Sequence, residues 1–532
     1  MLTTLPSDIV AFLAVILRGL QLSAQAIMLG GVLFVLGFTR PMAARLAGDG
    51  NLEATGLRWT AMAALSLAAV VGVAIAANLA QLVAGLDIAP DDAAGADFVR
   101  WNLVMAAAAL AAAAAARSAG KGPALAALVI ASAVVVAASV LSSHAFARLD
   151  DRPFFMVADA LHQIGACLWI GGIPFMLLAL ARETGPGAGL MVSLRFSHLF
   201  TWAVAILLAG AALLAWGYIA TPGALIGTAY GIMTGAKITL LGVLLTLAAM
   251  NRRSARSEAE DIGQIRLRRF AEVEIGIGLT VLMIAASMAS QPPAIDQGPF
   301  QATVHEIVER MAPTWPRLAS PPPETLASVS QTSSEAAHIA DKQWSEFNHN
   351  WAGLFVMAMG LLALAHGTGK ARWAGHWPLL FIVLGVAIII RSDPESWPIG
   401  PLGFFETLAD PEVFQHRVVG LLLFPFGLFE WAVRNDRLKS ERSALIFPVL
   451  CAIGAMLLLV HNHTLTDVKE RFLIEFSHIP MGIFGVLSAW FRWLEIRSNP
   501  GPVKRFAALA WPICFAMVGL LLLFYRELPI GG

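Results

Sequence analysis

Long apolar runs alternate with short polar breaks along almost the whole chain. Each run approaches the ~20 residues that a helix needs to cross hydrocarbon. They are too long and too continuous for barrel strands, which take about 9–11 residues. Backbone amides in lipid must be satisfied within their own segment, so the runs read as helices. About fourteen spans follow, centred near residues 22, 70, 108, 134, 168, 206, 240, 279, 358, 383, 423, 452, 484 and 515. The expected fold class is therefore all-α, a polytopic helical membrane protein.

One long polar segment breaks the pattern, from Gln291 to Asn348. It carries QPP, PTWP and SPPPE and then a Ser/Thr-rich tract, the composition of a linker with one or two short surface helices. It divides the chain into an eight-span unit (1–290), a linker (291–348) and a six-span unit (349–532). No convincing repeat relates the two units. The first run lacks a basic n-region and an A-x-A signal, so it reads as a retained span.

Charge orients this frame. With the N-terminus outside, 23 of the 36 Lys and Arg fall in inner loops and 11 outside, while Arg18 and Lys237 lie within spans. The positive-inside rule thus expects N-out and C-out. Only 14% of residues are charged, 58% are hydrophobic and the formal net charge is zero. That balance, without a basic tract, excludes a nucleic-acid partner. Cys167, Cys451 and Cys514 sit singly inside apolar runs and read as packing residues. No phosphate-binding loop or nucleophile–base set appears, which argues against active pumping by hydrolysis.

The candidate chemistry lies in the histidines. In this orientation His144, His162, His349, His416, His461, His463 and His478 all lie at the outer boundary or shallowly beneath it. His305 and His338 fall in the outer linker, and only His198, His366 and His376 lie toward the inside. Interfacial hydrogen bonding explains any one of the seven. All seven, from six spans, point to metal binding, because imidazole is the commonest side-chain metal ligand. Imidazole suits copper, zinc, iron and nickel, and thioether sulfur at the same level (Met156, Met283, Met288, Met481) biases toward Cu(I). Those methionines also serve as ordinary helix filler. On a continuous helix His461 and His463 would point about 200° apart, so sharing one metal requires an unwound helix end. The HNHT sequence favours such an end.

Within span five, Asp159 and His162 share a helical face. The carboxylate can steady the imidazole's second nitrogen, as partners of metal-bound histidines do, or pair with Lys237 on span seven. Gly171 and Gly172 read as close-packing positions. Arg18, mid-span, requires a partner, and Glu272 and Glu274 are the candidates.

Ordered motifs carry a family resemblance. His144–Ala145 ends one span; Asp159-Ala160-Leu161-His162 and Trp169-Ile170-Gly171-Gly172 follow in the next. RFSHLFTWAV (195–204), YGIMTGAKITLLGVLLTLAAMNRR (230–253) and RRFAEVEIGIGLTVLMIAASMASQPP (268–293) continue the set. Over roughly residues 140–293 the chain resembles the CopD/PcoD family of bacterial copper-resistance membrane proteins. The six-span unit resembles, more loosely, the C-terminal extension of longer members, through FQHRVVGLLLFPFGLFEWAVR (414–434) and residues 461–497. The resemblance implies copper as ligand, uptake through the bacterial inner membrane with the histidine face toward the periplasm, and a periplasmic partner of the CopC type. It carries ligand roles to His144 and His162, and to His416, His461, His463 and His478 in the extension. The chain has no MxxM ladder and no cysteine pair for onward transfer. A second reading from another class is a haem-b electron-transfer or copper-reducing protein, with axial ligands drawn from His349, His416, His461 and His478 and an inner haem at His366 and His376.

Overall fold

The computed structural model describes residues 7–43, 51–85, 87–118, 122–182, 187–254, 260–322, 325–326, 335–391, 393–460 and 468–527. Fourteen helices among them are long and apolar enough to cross a membrane. They are α1 (Ser7–Leu33), α2 (Asn51–Ala80), α3 (Asp97–Arg117), α4 (Gly122–Leu141), α5 (Arg152–Arg182), α6 (Ala188–Tyr218), α7 (Ala229–Ser254) and α8 (Glu260–Met288). After the linker come α9 (Glu335–Gly367), α10 (Leu380–Arg391, brought to span length by the 3₁₀ turns Arg372–Leu379 before it), α11 (Pro411–Arg434), α12 (Ile446–Val460, brought to span length by the turn Glu441–Ala444 before it), α13 (Val468–Arg497) and α14 (Pro502–Leu523). No named strand occurs among the described residues; one isolated bridge joins Ser396 and Leu402. The expected all-α membrane fold is what forms.

Two compact units divide the chain: Met1–Leu225 with Met233–Gly298, and Ile226–Ile232 with Pro299–Gly532. In the first unit α1 is central and packs on α2, α5 and α8. Apolar side chains gain little from leaving lipid, so helix contact there depends on close fit. Glycine supplies it. A Cβ on Gly171 would stand 1.8 Å from the carbonyl oxygen of Ala26, and one on Gly30 would stand 2.0 Å from that of Gly171. The α1–α5 crossing is therefore backbone on backbone. Gly165 and Gly210 do the same for α5 and α6, where a Cβ on Gly210 would meet the His162 amide at 2.4 Å. Past Leu33 the chain continues as a π-helix, Phe34–Thr39, whose Phe34 and Phe38 join Phe175 and Phe196 in an aromatic cluster.

In the second unit α14 packs along α9 and α13. Gly353 and Gly519 lie in backbone contact at the α9–α14 seam. An aromatic core of Trp377, Phe381, Phe447 and Trp511 fills the space between helices. In the described part of the linker, Ala294–Phe300 forms a 3₁₀ turn and Val304–Met311 an α-helix. Thr303 and Glu306 close that helix with a reciprocal capping box. Ile307 packs on Phe472 at the start of α13, and Lys469 Nζ reaches Glu306 Oε1 at 2.5 Å.

Candidate metal and charge site

A polar cluster forms inside the apolar spans of the first unit, built around Asp159 on α5. Its Oδ2 accepts hydrogen bonds from Ser143 Oγ at 2.8 Å and Gln163 Nε2 at 3.0 Å. Gln163 Oε1 accepts in turn from Gln25 Nε2 of α1 at 3.3 Å. Arg18 from α1 and Lys237 from α7 both act electrostatically on the Asp159 carboxylate. Charge inside a membrane is costly unless compensated, and here one carboxylate serves two cations.

The carboxylate that acts electrostatically on Arg18 is Asp159, beyond ion-pair distance, and not Glu272 or Glu274. Glu272 instead pairs with Arg269 at 2.5 Å, and Glu274 accepts from Asn251 at 2.5 Å across the α7–α8 seam. The reason is position along the span: Arg18 shares its level with Asp159, while the two glutamates keep to the basic end of α8.

His162 lies one helical turn from Asp159, but its Nδ1 faces the carbonyl oxygen of Leu207 on α6 at 3.4 Å. An N–H must occupy that nitrogen to donate, which leaves Nε2 as the lone-pair atom for a metal. The steadying contact that sequence spacing offers to Asp159 belongs to Leu207, because the carboxylate is taken by Ser143 and Gln163. Lys237 also acts on the imidazole. His144, one residue beyond Ser143, sets Nε2 2.7 Å from the carbonyl oxygen of Ala289.

The methionines divide. Met283 Sδ fills the notch above Gly19, beside Arg18, where an added Cβ would stand 1.9 Å away. Met288 Sδ accepts from Thr234 Oγ1 at 3.5 Å. Met481 is buried at 1% exposure, and Met156 is half-buried. Met105, not foreseen from sequence, accepts from Gln21 Nε2 at 3.1 Å.

In the second unit two of the predicted histidines come together. The rings of His349 on α9 and His478 on α13 have centroids 6.5 Å apart and stand nearly perpendicular. Each sets Nδ1 2.8 Å from the carbonyl oxygen four residues earlier, Ser345 and Ile474 respectively. Tyr525 lies against both, at 4.3 Å from His349 and 5.5 Å from His478, and its hydroxyl donates to Glu527 at 2.9 Å. His416 is half-buried on α11, immediately before the buried Arg417. His461 and His463 lie outside the described residues. At the inner-haem position, Trp431 Nε1 donates to His376 Nδ1 at 2.8 Å, and His366 packs against Gly375. Among the described residues, no group of three or more His, Cys, Asp or Glu side chains is arranged to hold a metal.

A second buried charge cluster was not foreseen. Glu430 is fully buried and pairs with Arg434 at 2.5 Å; Arg492 pairs with Glu495 at 2.5 Å. Arg434 lies over Trp377, Phe447 and Trp511, and Arg492 over Trp511. The signal existed: E-x-x-x-R on α11 and R-x-x-E on α13 place opposite charges one turn apart within spans.

Fold and cluster together define a polytopic helical membrane protein with histidine and compensated charge inside its first unit. Residues 190–288 match the protein family described as Copper resistance protein D. Its relatives include the copper transport protein CutJ of Bacillus subtilis (strain 168), 29% identical over 171 residues. That match covers 31% of this chain and 31% of CutJ, about a third of the relative's length. No solved structure matches. His144, Asp159 and His162 precede the family-matched residues; Lys237, Met283 and Met288 fall within them.

Proposed function

We propose that the chain takes up copper from the periplasmic side of the bacterial inner membrane, with His162 in the first unit as the central ligand. In this reading His144 would receive the ion first, and the thioethers of Met156, Met283 and Met288 are the candidate soft donors. The observation that carries this reading is the cluster itself: an imidazole whose tautomer is set for coordination through Nε2, amid charged side chains, in a chain whose residues 190–288 match the Copper resistance protein D family. Copper is the cargo here. A periplasmic CopC-type donor would deliver it to the outer face.

The charges add a mechanistic consequence. Lys237 and Arg18 together exceed the single charge of Asp159, so a copper ion at His162 is repelled while Lys237 keeps its proton. Copper content of the purified protein tests the reading. The parent is expected to retain copper, with His162→Ala and His144→Ala losing it while keeping their thermal melts. Undiminished copper in His162→Ala would overturn the assignment.

A specific contact favours a second reading, haem or copper in the second unit. Two imidazoles that share one metal on opposite sides, each at ~2.0 Å, have centroids ~6.3 Å apart, close to the 6.5 Å between His349 and His478. A reducible Soret band lost in His349→Ala would assign that pair to haem b and an electron-transfer role; copper lost in the same variant, without a Soret band, would assign it to a second copper ion. The CopC-type partner is tested by copper transfer from a copper-loaded periplasmic donor to the reconstituted chain.

A further inference from the structure

A cavity of about 350 Å³ opens in the second unit, and no histidine is among the described residues that line it. Trp344 and Phe347 from the first turns of α9, Arg391 at the end of α10, Leu326, Glu395 and Ile399 line it. Its volume lies in the range of small-molecule sites, about 300–1,000 Å³.

Two of its polar groups are open to a ligand: the half-buried Arg391 guanidinium and the buried Trp344 indole N–H. The Arg391 guanidinium lies 4.7 Å over the Phe347 ring and 5.7 Å from that of Trp351. Among the described residues no carboxylate comes within ion-pair distance of it, although the rest of the arginine is held by Asn348 Nδ2 donating to its carbonyl oxygen at 3.1 Å. Aromatic stacking leaves the in-plane N–H groups of a guanidinium available, and those are the groups that take a carboxylate or phosphate in fork geometry. Trp344 is only 5% exposed, yet its Nε1–H has no acceptor among the described residues. A buried donor without an acceptor is destabilising, so a ligand oxygen that reached it would be favoured. Aromatic and aliphatic walls surround both donors.

We propose that this cavity binds an amphipathic anion, a carboxylate or phosphate headgroup on an apolar body, with Arg391 and Trp344 as the donors. The headgroup takes the guanidinium edge and the indole N–H, and the apolar body lies on Phe347, Leu326 and Ile399. Glu395 is the one acidic side chain among the described lining residues and opposes the ligand's charge. The same chemistry has two sources: a soluble organic acid, or the headgroup of an anionic membrane lipid.

The test uses the full chain in phosphatidylcholine nanodiscs, with sodium benzoate titrated calorimetrically, and in parallel a count of phosphatidylglycerol retained from mixed lipid. Saturable benzoate binding, weakened about tenfold or more by Arg391→Gln as expected for loss of a charge-assisted hydrogen bond, supports a soluble acid. Phosphatidylglycerol enrichment lost in Arg391→Gln supports the lipid. In either arm Trp344→Phe, which keeps the ring, weakens binding a few-fold, and Glu395→Gln tightens it. That gain cannot arise from misfolding. The proposal is overturned if neither probe binds, or if the probe that binds does so as tightly in Arg391→Gln as in the parent.

Discussion

At the scale of residues, Asp159 holds the first unit's polar cluster together. Its carboxylate accepts from Ser143 and Gln163 and offsets part of the charge of Arg18 and Lys237 at longer range than an ion pair, and charge left uncompensated inside apolar spans is costly. Asp159→Asn strands both Arg18 and Lys237, so its thermal midpoint in detergent should fall well below the parent's. Combining it with Lys237→Met removes one stranded cation and should recover part of the loss. Simple additivity of the two changes would show that they do not interact. Lys237→Met alone has a different consequence. Without an ammonium acting on His162, a copper ion there meets less repulsion, so copper affinity should rise. Equal affinity in the variant and the parent would remove Lys237 from the copper step. No sequence spacing could have assigned Arg18 to Asp159, since 141 positions separate them and only the α1–α5 crossing sets their level. The histidine reading was open to the same limit. Their common depth was visible in the chain, but of the seven only His349 and His478 are in ring contact among the described residues.

At the scale of elements, spans were legible because hydropathy is a property of the local run, and fourteen helices occupy the fourteen apolar stretches. Even the alanine-rich third run forms a helix, Asp97–Arg117. Packing partners were not legible, because lipid gives no hydrophobic preference for one neighbour over another. Glycine position was the nearest available signal, and Gly171 in the W-I-G-G motif does make a backbone crossing. Gly171→Ala forces a methyl into the Ala26 carbonyl, an overpacking cost of about 1–3 kcal/mol, so its melting temperature should drop. Gly235→Ala on α7, where an added Cβ meets nothing within 4 Å, should leave it unchanged or slightly raised. Equal effects at both positions would contradict the close α1–α5 approach. The linker helix supplies a pH-dependent case. Its Glu306 carboxyl is held down to about 2, first by the Lys469 contact and then by the Thr303 amide and hydroxyl. A depressed carboxylate stabilises above its ordinary range and loses that contribution only as pH falls through the folded value. Hydrogen-exchange protection of Val304–Met311, corrected for intrinsic rates, should therefore hold from pH 7 to pH 4. In Glu306→Gln it should be lower at both values.

At the scale of the whole molecule, topology decides which compartment meets the histidines, the cavity and the linker. Charge counting expects the linker outside and the loop after α11 inside, because 23 of the 36 Lys and Arg then fall on the inner side. The background for a labelling test is favourable. Cys167 and Cys514 are buried and Cys451 is half-buried, all within spans. Trp315, in the linker, is 97% exposed, and a cysteine there disturbs no packing. Arg437, between α11 and α12, serves as the opposite marker. In intact cells a membrane-impermeant maleimide should label Trp315→Cys and spare Arg437→Cys until the membrane is opened. The reverse pattern would turn the chain over, placing His144 and the His349–His478 pair toward the cytoplasm. Copper uptake from the periplasm would then lose its receiving face, and copper drawn from the cytoplasm would become the reading that fits the same ligands. Labelling of both sites in intact cells would break the alternation of loops and move at least one span out of the membrane. The direction of copper movement therefore rests on one measurable property of the fold, independent of which histidines bind the metal.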